Sequence, residues 1–249
     1  MLTPPVIETL KKADPDRYRA AMFAGTSLRP KLLTLYAFHY ELAKVPELVS
    51  EPMLGAIRYQ WWRDCVDEIY TDKPVRRHEV ATPLSEVLRG SDVPRFWIDR
   101  LIDGRQRDID PRPFDNLDEA KQYCADTSGQ LMQIAARILG QDVDGGLGTA
   151  WGLTGLGRGY RFYHETMLKN ISFDDIVSAA RGQYEASRAA NPKVSSEAMP
   201  ALAYAALIPP FLKRLSTPKF GPLESAVVFG PFAKQSKLLK VALSGKLPR

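Results

Sequence analysis

Apolar residues recur along this chain at three- and four-residue spacing, the period of a helix face. Leu32, Leu33, Leu35, Tyr36, Phe38, Leu42 and Val45 follow Pro30 in this way, and Pro30 suits a first helical turn. Pro46 removes a backbone donor, so this helix is expected to kink or end near Val45. Ser50, a cap candidate followed by Glu51 and Pro52, predicts a second helix to about Tyr70, closed by Asp72-Lys73-Pro74. Further helices are predicted over Pro83 to Leu88 and Pro94 to Arg107. Another runs from the capping box Asn116-Leu117-Asp118-Glu119 to Leu139, where Gly140 supplies the stop. Leu147 to Lys169 and the Ser172-capped run to Ala190 follow, then Ala198 to Leu215 and Ser225 to Leu243. A Pro-rich link is read at 110–113 and a Pro/Ser linker at 191–196. No sustained period-2 alternation bounded by hairpin turns interrupts the series, so the expected fold is all-α. With no internal repeat and no boundary that splits the core, residues 1–249 read as a single domain.

Composition changes this picture little: hydrophobic residues at 45% and charged residues at 25% are ordinary globular values. The apolar run from Ala198 to Leu212 is broken by Pro200, Pro209 and Pro210 and falls short of the roughly 20 residues that span a bilayer. The N-terminus lacks a basic stretch followed by an apolar core, which gives a cytoplasmic expectation. Cys65 and Cys124, with no CxxC and only His39, His78 and His164 beside them, exclude the usual zinc spacings and read as small core residues.

Charge is uneven. Between Lys213 and Arg249 eight Lys/Arg stand against the single acid Glu224, in a chain whose formal net charge is +5. Without a recognised reading motif, this local basicity does not indicate a nucleic-acid binder. Lys234, Lys237 and Lys240 interleave with Phe232, Leu238, Leu239, Ala242 and Leu243. That pattern suits an amphipathic helix on an anionic membrane surface, and equally a terminal helix packed on the core.

Tyr36-Ala37-Phe38, followed after a helical run by Arg58-x-x-Trp61-Trp62-Arg63, resembles the opening of the squalene/phytoene synthases, which join two prenyl diphosphates head to head. Leu101-Ile102-Asp103-Gly104 with trailing Asp108, and Tyr123-Cys124-Ala125-Asp126-Thr127-Ser128-Gly129, resemble two further segments of that family. The similarity is clearest over residues 16–184. It implies an isoprenoid synthase-like helical bundle with a central cavity, and it implies that the 31–45 and 147–163 helices face each other across a Mg²⁺ site.

The same alignment removes most of that site. The first aspartate cluster falls on Ala43, Lys44 and Glu47, and the second falls on Gly159, Phe162 and Tyr163, with Arg158 retained from its polar set. Mg²⁺ takes oxygen ligands, which Ala43 and Gly159 lack, and Lys44 brings a positive charge. No metal or other cofactor is expected on this reading. The polar and aromatic residues left around the vestigial cavity are Tyr36, Phe38, His39, Glu47, Arg58, Asp103, Asp108 and Arg158. For each, a structural role is the bland alternative. The glycines at 152, 155, 157 and 159 point either to close packing or to a helix released from catalysis.

Two functional expectations remain open. One is a degenerate synthase-like protein that binds a partner protein or a prenyl lipid. The resemblance extends to a branch with eroded motifs that includes a mitochondrial assembly factor of respiratory complex I, which implies a role near an energy-transducing membrane. The other is an active prenyl transferase using Mg²⁺ and rearranged residues such as Glu47, Asp103 and Asp108.

Overall fold

Asn116 and Ser172 cap the helices that follow them. The Asn116 side chain accepts hydrogen bonds from the backbone N–H groups of Asp118 and Glu119, and the Ser172 hydroxyl accepts one from Asp175 N–H. In the computed structural model, which describes residues 1–110, 112–191 and 193–248, local signals of this kind set most helix limits. Pro111 and Pro192 of the two predicted links, and Arg249 of the basic tail, lie outside the described residues.

The described residues form helices and no strand. Two short helices that hydrophobic spacing did not announce open the chain, α1 (Pro4–Ala13) and α2 (Pro15–Ala21). Next come α3 (Arg29–Ala43), α4 (Pro52–Tyr70), α5 (Ala81–Arg89) and α6 (Arg95–Gln106). A 3₁₀ turn over Val45–Leu48 follows α3, so the helix stops just ahead of Pro46, as expected. Ser50 is not the cap of α4; Glu51 holds that position and makes no side-chain cap bond.

The predicted 116–139 helix is interrupted rather than uniform. It consists of α7 (Leu117–Cys124), a wide π turn over Ala125–Gly129, and α8 (Gln130–Ile138). Gly140 then turns the chain with φ of 73°. The helix expected to reach Lys169 breaks at Gly159 into α9 (Gly146–Arg158) and the single turn α10 (Tyr160–Tyr163). The long α11 (Phe173–Ala190) precedes α12 (Met199–Leu202), a 3₁₀ stretch over Ala203–Leu207, α13 (Ile208–Leu215) and α14 (Pro231–Ser244). The last helix therefore starts six residues later than Ser225, where Pro231 supplies the fixed φ of a first turn.

One contiguous apolar core runs from Leu2 to Leu247 and includes both cysteines, which are free and buried. Among the described residues the most extensive helix–helix contact is between α9 and α11, and α9 also packs on the π turn between α7 and α8. That second contact needs glycine. A Cβ on Gly148 would run into the Ser128 carbonyl oxygen and stand 2.9 Å from Gly129 Cα, and one on Gly152 would stand 3.0 Å from Cys124 Cβ. At Gly155, by contrast, a Cβ would meet nothing within 4 Å, so close packing accounts for Gly152 and not for its neighbour. Between α3 and α9 stand α2, α8 and the 203–207 stretch, which put the two helices on either side of a shared interior.

Candidate functional site

The interior between α3 and α9 is where the two halves of a metal site would meet, so the site is built here from its two ends. Because α3 stops at Ala43, Lys44 sits at its C-cap and folds back onto Glu41, with Nζ 2.5 Å from the carboxylate and 5.5 Å from the Tyr40 ring centroid. The cation is thereby paired within its own helix. Glu47 lies exposed on the 3₁₀ turn beyond it.

At the far end, Arg158 and Gly159 close α9. The Arg158 guanidinium lies 4.0 Å over the Phe211 ring and 5.8 Å from that of Trp151, a cation–π stack of the kind that holds arginine against aromatic faces. Burial pulls its pKa below the usual arginine value, with Asp16 and Asp14 acting in the opposite direction. A Cβ on Gly159 would stand 2.8 Å from the Tyr163 ring, so an aspartate does not fit there while Tyr163 keeps its place. Among the described residues no group of three or more His, Cys, Asp and Glu side chains converges as a metal set. This donor set does not fit a Mg²⁺ cluster.

Side chains from other helices occupy the expected central cavity. Arg17 of α2 pairs with Asp14 at 2.7 Å and lies 5.0 Å over the ring of Tyr204, which comes from the 203–207 stretch. Tyr36 of α3 is buried beside them, and burial raises its phenol pKa well above the ordinary value. The Tyr36 and Tyr204 hydroxyls and two Arg17 nitrogens have no protein partner. Such buried polar atoms are costly, and they mark this interior as polar rather than as ordinary core.

A second cluster joins it. The Arg105 guanidinium, which can only donate, lies 2.7 Å from His39 Nε2, so that nitrogen accepts and the ring proton sits on Nδ1. Arg105 also pairs with Asp108 at 3.1 Å, and the Tyr123 hydroxyl donates to Asp108 at 2.6 Å. Burial first, then the charges of Arg105 and Arg17, hold His39 well below its usual pKa of 6.5. The arrangement places two guanidinium groups where acids would be needed to hold a divalent cation.

Of the residues singled out in the sequence, Tyr36, His39, Asp108 and Arg158 do line this interior. Phe38 belongs to the core, where its ring meets Trp62 edge-on at 5.1 Å. Arg58 is exposed on α4 and does not reach inward. Asp103 is also misassigned: its side chain is 64% exposed and bridges to Arg63 on the outer side of α4 and α6. Lys234 is no surface lysine, since it is buried in an ion pair with Asp16, 2.9 Å from both carboxylate oxygens. Lys237 and Lys240 remain exposed. Arg17, Arg105, Tyr123 and Tyr204 were missed. For Arg17, the signal was present in Asp14-Pro15-Asp16-Arg17, a cap and first turn carrying paired charges.

Comparisons with known proteins bear on the same region. The sequence profile of the squalene/phytoene synthases matches residues 10–166. The assembly factor 6 of NADH dehydrogenase (ubiquinone) complex I is 31% identical to this chain in Bos taurus and 30% in Homo sapiens. In each case the match extends over 134 residues, 54% of this chain and 40% of the relative. The matched region thus spans less than half the length of these relatives. Among solved structures, a dehydrosqualene synthase superposes with a TM-score of 0.71 at 15% identity, covering 96% of this chain and 94% of its own. A squalene synthase from Alicyclobacillus acidocaldarius gives 0.67 at 15% identity, covering 85% and 92%.

Proposed function

The chain belongs to the squalene/phytoene synthase family, and from the state of its interior we propose that it no longer condenses prenyl diphosphates and works by binding, in the assembly of a respiratory complex at a membrane surface. The observation that carries the first half is the state of the two ends of the interior, where the resemblance would put metal-binding acids. Lys44 stands at the first and is tied to Glu41; Gly159 stands at the second, next to an Arg158 that is stacked on Phe211. Ionising an allylic diphosphate requires metal ions to neutralise the leaving group. Losing one electrostatic stabiliser of this kind typically costs on the order of 10² to 10³ in rate. Losing both clusters leaves no useful synthase.

The second half draws on the relatives named as complex I assembly factors and on the surface of α14. Phe232 is 92% exposed, Leu243 80% and Leu239 46%, and their spacing puts all three on one side of the helix. Lys240 borders that stripe on one side, and Lys237 lies further round the helix on the same side. An apolar stripe bordered by a basic residue is a form that lies in a membrane interface. No helix among the described residues is long and apolar enough to cross a membrane.

The test of the first half is incubation of the full chain with radiolabelled farnesyl or geranylgeranyl diphosphate, Mg²⁺ and NADPH. No product above the protein-free control is expected. Formation of squalene, phytoene or a presqualene intermediate would instead establish an active prenyl transferase with rearranged residues. For the second half, the tagged chain is purified from its native host with membrane fractions retained. Recovery of respiratory-complex subunits with it is expected, and their absence overturns the assembly role.

A further inference from the structure

Helices α11, α13 and α14 and the tail after Gly245 border a cleft of about 1070 Å³. Arg181, Arg188, Lys213, Lys237, Lys240 and Lys246 line it, against one acid, Glu185. None of the six makes an ion pair among the described residues, and the Arg188 Nε is buried without a protein partner. Gathering six cations around one concavity is self-repulsive, and it makes the cleft a focus of positive potential. The lining also includes Tyr184, Pro209, Leu212, Val241 and Leu247, four of them buried core residues.

The walls are fixed in place. Lys234 anchors α14 to Asp16 of α2, and Leu238 and Val241 bury its inner face. The tail is held by the Tyr184 hydroxyl, which donates to the Pro248 carbonyl at 2.7 Å, and by Val194 N–H, which donates to the Gly245 carbonyl at 2.8 Å. The cleft is therefore a built feature between four segments rather than a chance gap beside one helix.

We propose that this cleft is a binding site for a single anionic phospholipid, its phosphate held by the lysines and arginines and its chains laid against Pro209, Pro210 and the aliphatic stems of Lys213, Lys237 and Lys240. The volume sits at the upper end of the range for small-molecule sites, which favours one amphiphile over a folded peptide segment. The apolar wall has no role in holding free phosphate, and the six cations have none in holding a neutral lipid. The proposal concerns neither the interior between α3 and α9 nor the exposed stripe of α14.

Calorimetric titration of the full chain with dihexanoyl phosphatidylglycerol below its micelle concentration tests it, since a monomeric lipid offers no surface for α14 to lie on. Saturable binding is expected, with dihexanoyl phosphatidylcholine and inorganic phosphate each weaker by at least about tenfold. The double variant Lys213→Glu, Lys246→Glu, both exposed positions outside α14, is expected to weaken binding about 30-fold while the circular dichroism spectrum stays unchanged. Phe232→Ser with Leu243→Ser is expected to leave it unaltered, which separates this site from the membrane stripe. Equal binding of inorganic phosphate reduces the site to a simple anion site and overturns the lipid assignment. Absence of lipid binding, or tight binding of an oligo-glutamate peptide in its place, overturns it as well.

Discussion

Two buried charges set the behaviour of single residues here. Asp16 and Lys234 are 6% and 11% exposed and meet at 2.9 Å, which ties the second helix to the last. Asp16 keeps a longer contact to Arg19 at 3.5 Å, so removing Lys234 leaves it poorly rather than wholly uncompensated, an effect toward the lower end of the about 3–5 kcal/mol of a broken buried pair. Lys234→Ala is therefore expected to lower the urea midpoint strongly, and Asp16→Ala in the same chain is expected to recover part of that loss. A double variant no better than the single would show that the pair is not the anchor. His39 gives a pH signature. Its folded pKa is depressed, so the unfolded chain takes up a proton below pH 6.5 that the folded chain refuses. The stability that the neutral ring contributes is complete above pH 6.5 and falls as pH drops below it, by about 1.4 kcal/mol per pH unit. His39→Gln is expected to flatten the fall in stability below pH 6.5, by up to that slope, and identical profiles for the two proteins would refute the assignment.

Helix α9 carries opposite demands along its length. At Gly148 an added methyl meets the backbone of the π turn, which cannot yield as a side-chain end would. Gly148→Ala is expected to destabilise by about 1–3 kcal/mol, the range of overpacked cores. At Gly155 the same methyl meets open space, and alanine in place of glycine is expected to stabilise the helix by about 1 kcal/mol. Thermal unfolding of the two variants side by side reads the difference in sign. The insertion of a wide turn at Ala125–Gly129 belongs to this contact, because it presents Ser128 and Gly129 to the glycine face of α9.

For the molecule as a whole, the basic residues near the C-terminus divide by the face they occupy: Lys234 is structural, and Lys237 and Lys240 of α14 line the cleft with Lys213 and Lys246, Lys240 also bordering the exposed stripe. Two large apolar side chains entering a bilayer interface each contribute about 1.5 kcal/mol or more. Phe232→Ser with Leu243→Ser is therefore expected to reduce partition onto anionic vesicles on the order of a hundredfold in co-sedimentation at physiological salt. Unchanged pelleting would mean that α14 is only a solvated end of the fold.

The sequence by itself determined the helical class and most of the helix limits, and its resemblance to the family located the positions where metal-binding acids are replaced. Each of these depends on residue type at close range: a cap two or three positions before its N–H groups, a proline that cannot donate, an alanine where an oxygen is required. Asn116, Ser172, Pro46, Ala43 and Gly159 carry that information without reference to the rest of the chain. The tertiary structure alone put Arg17 and Tyr204 into the space between Tyr36 and Arg158, turned Arg58 and Asp103 outward, and paired Lys234 with an acid 218 residues away. A helix repeat specifies which residues share a face. What that face meets, and whether a charge on it ends in water or in an ion pair, depends on packing between segments distant in the chain, and the same physics brought Arg181, Lys213, Lys237 and Lys246 around one cleft.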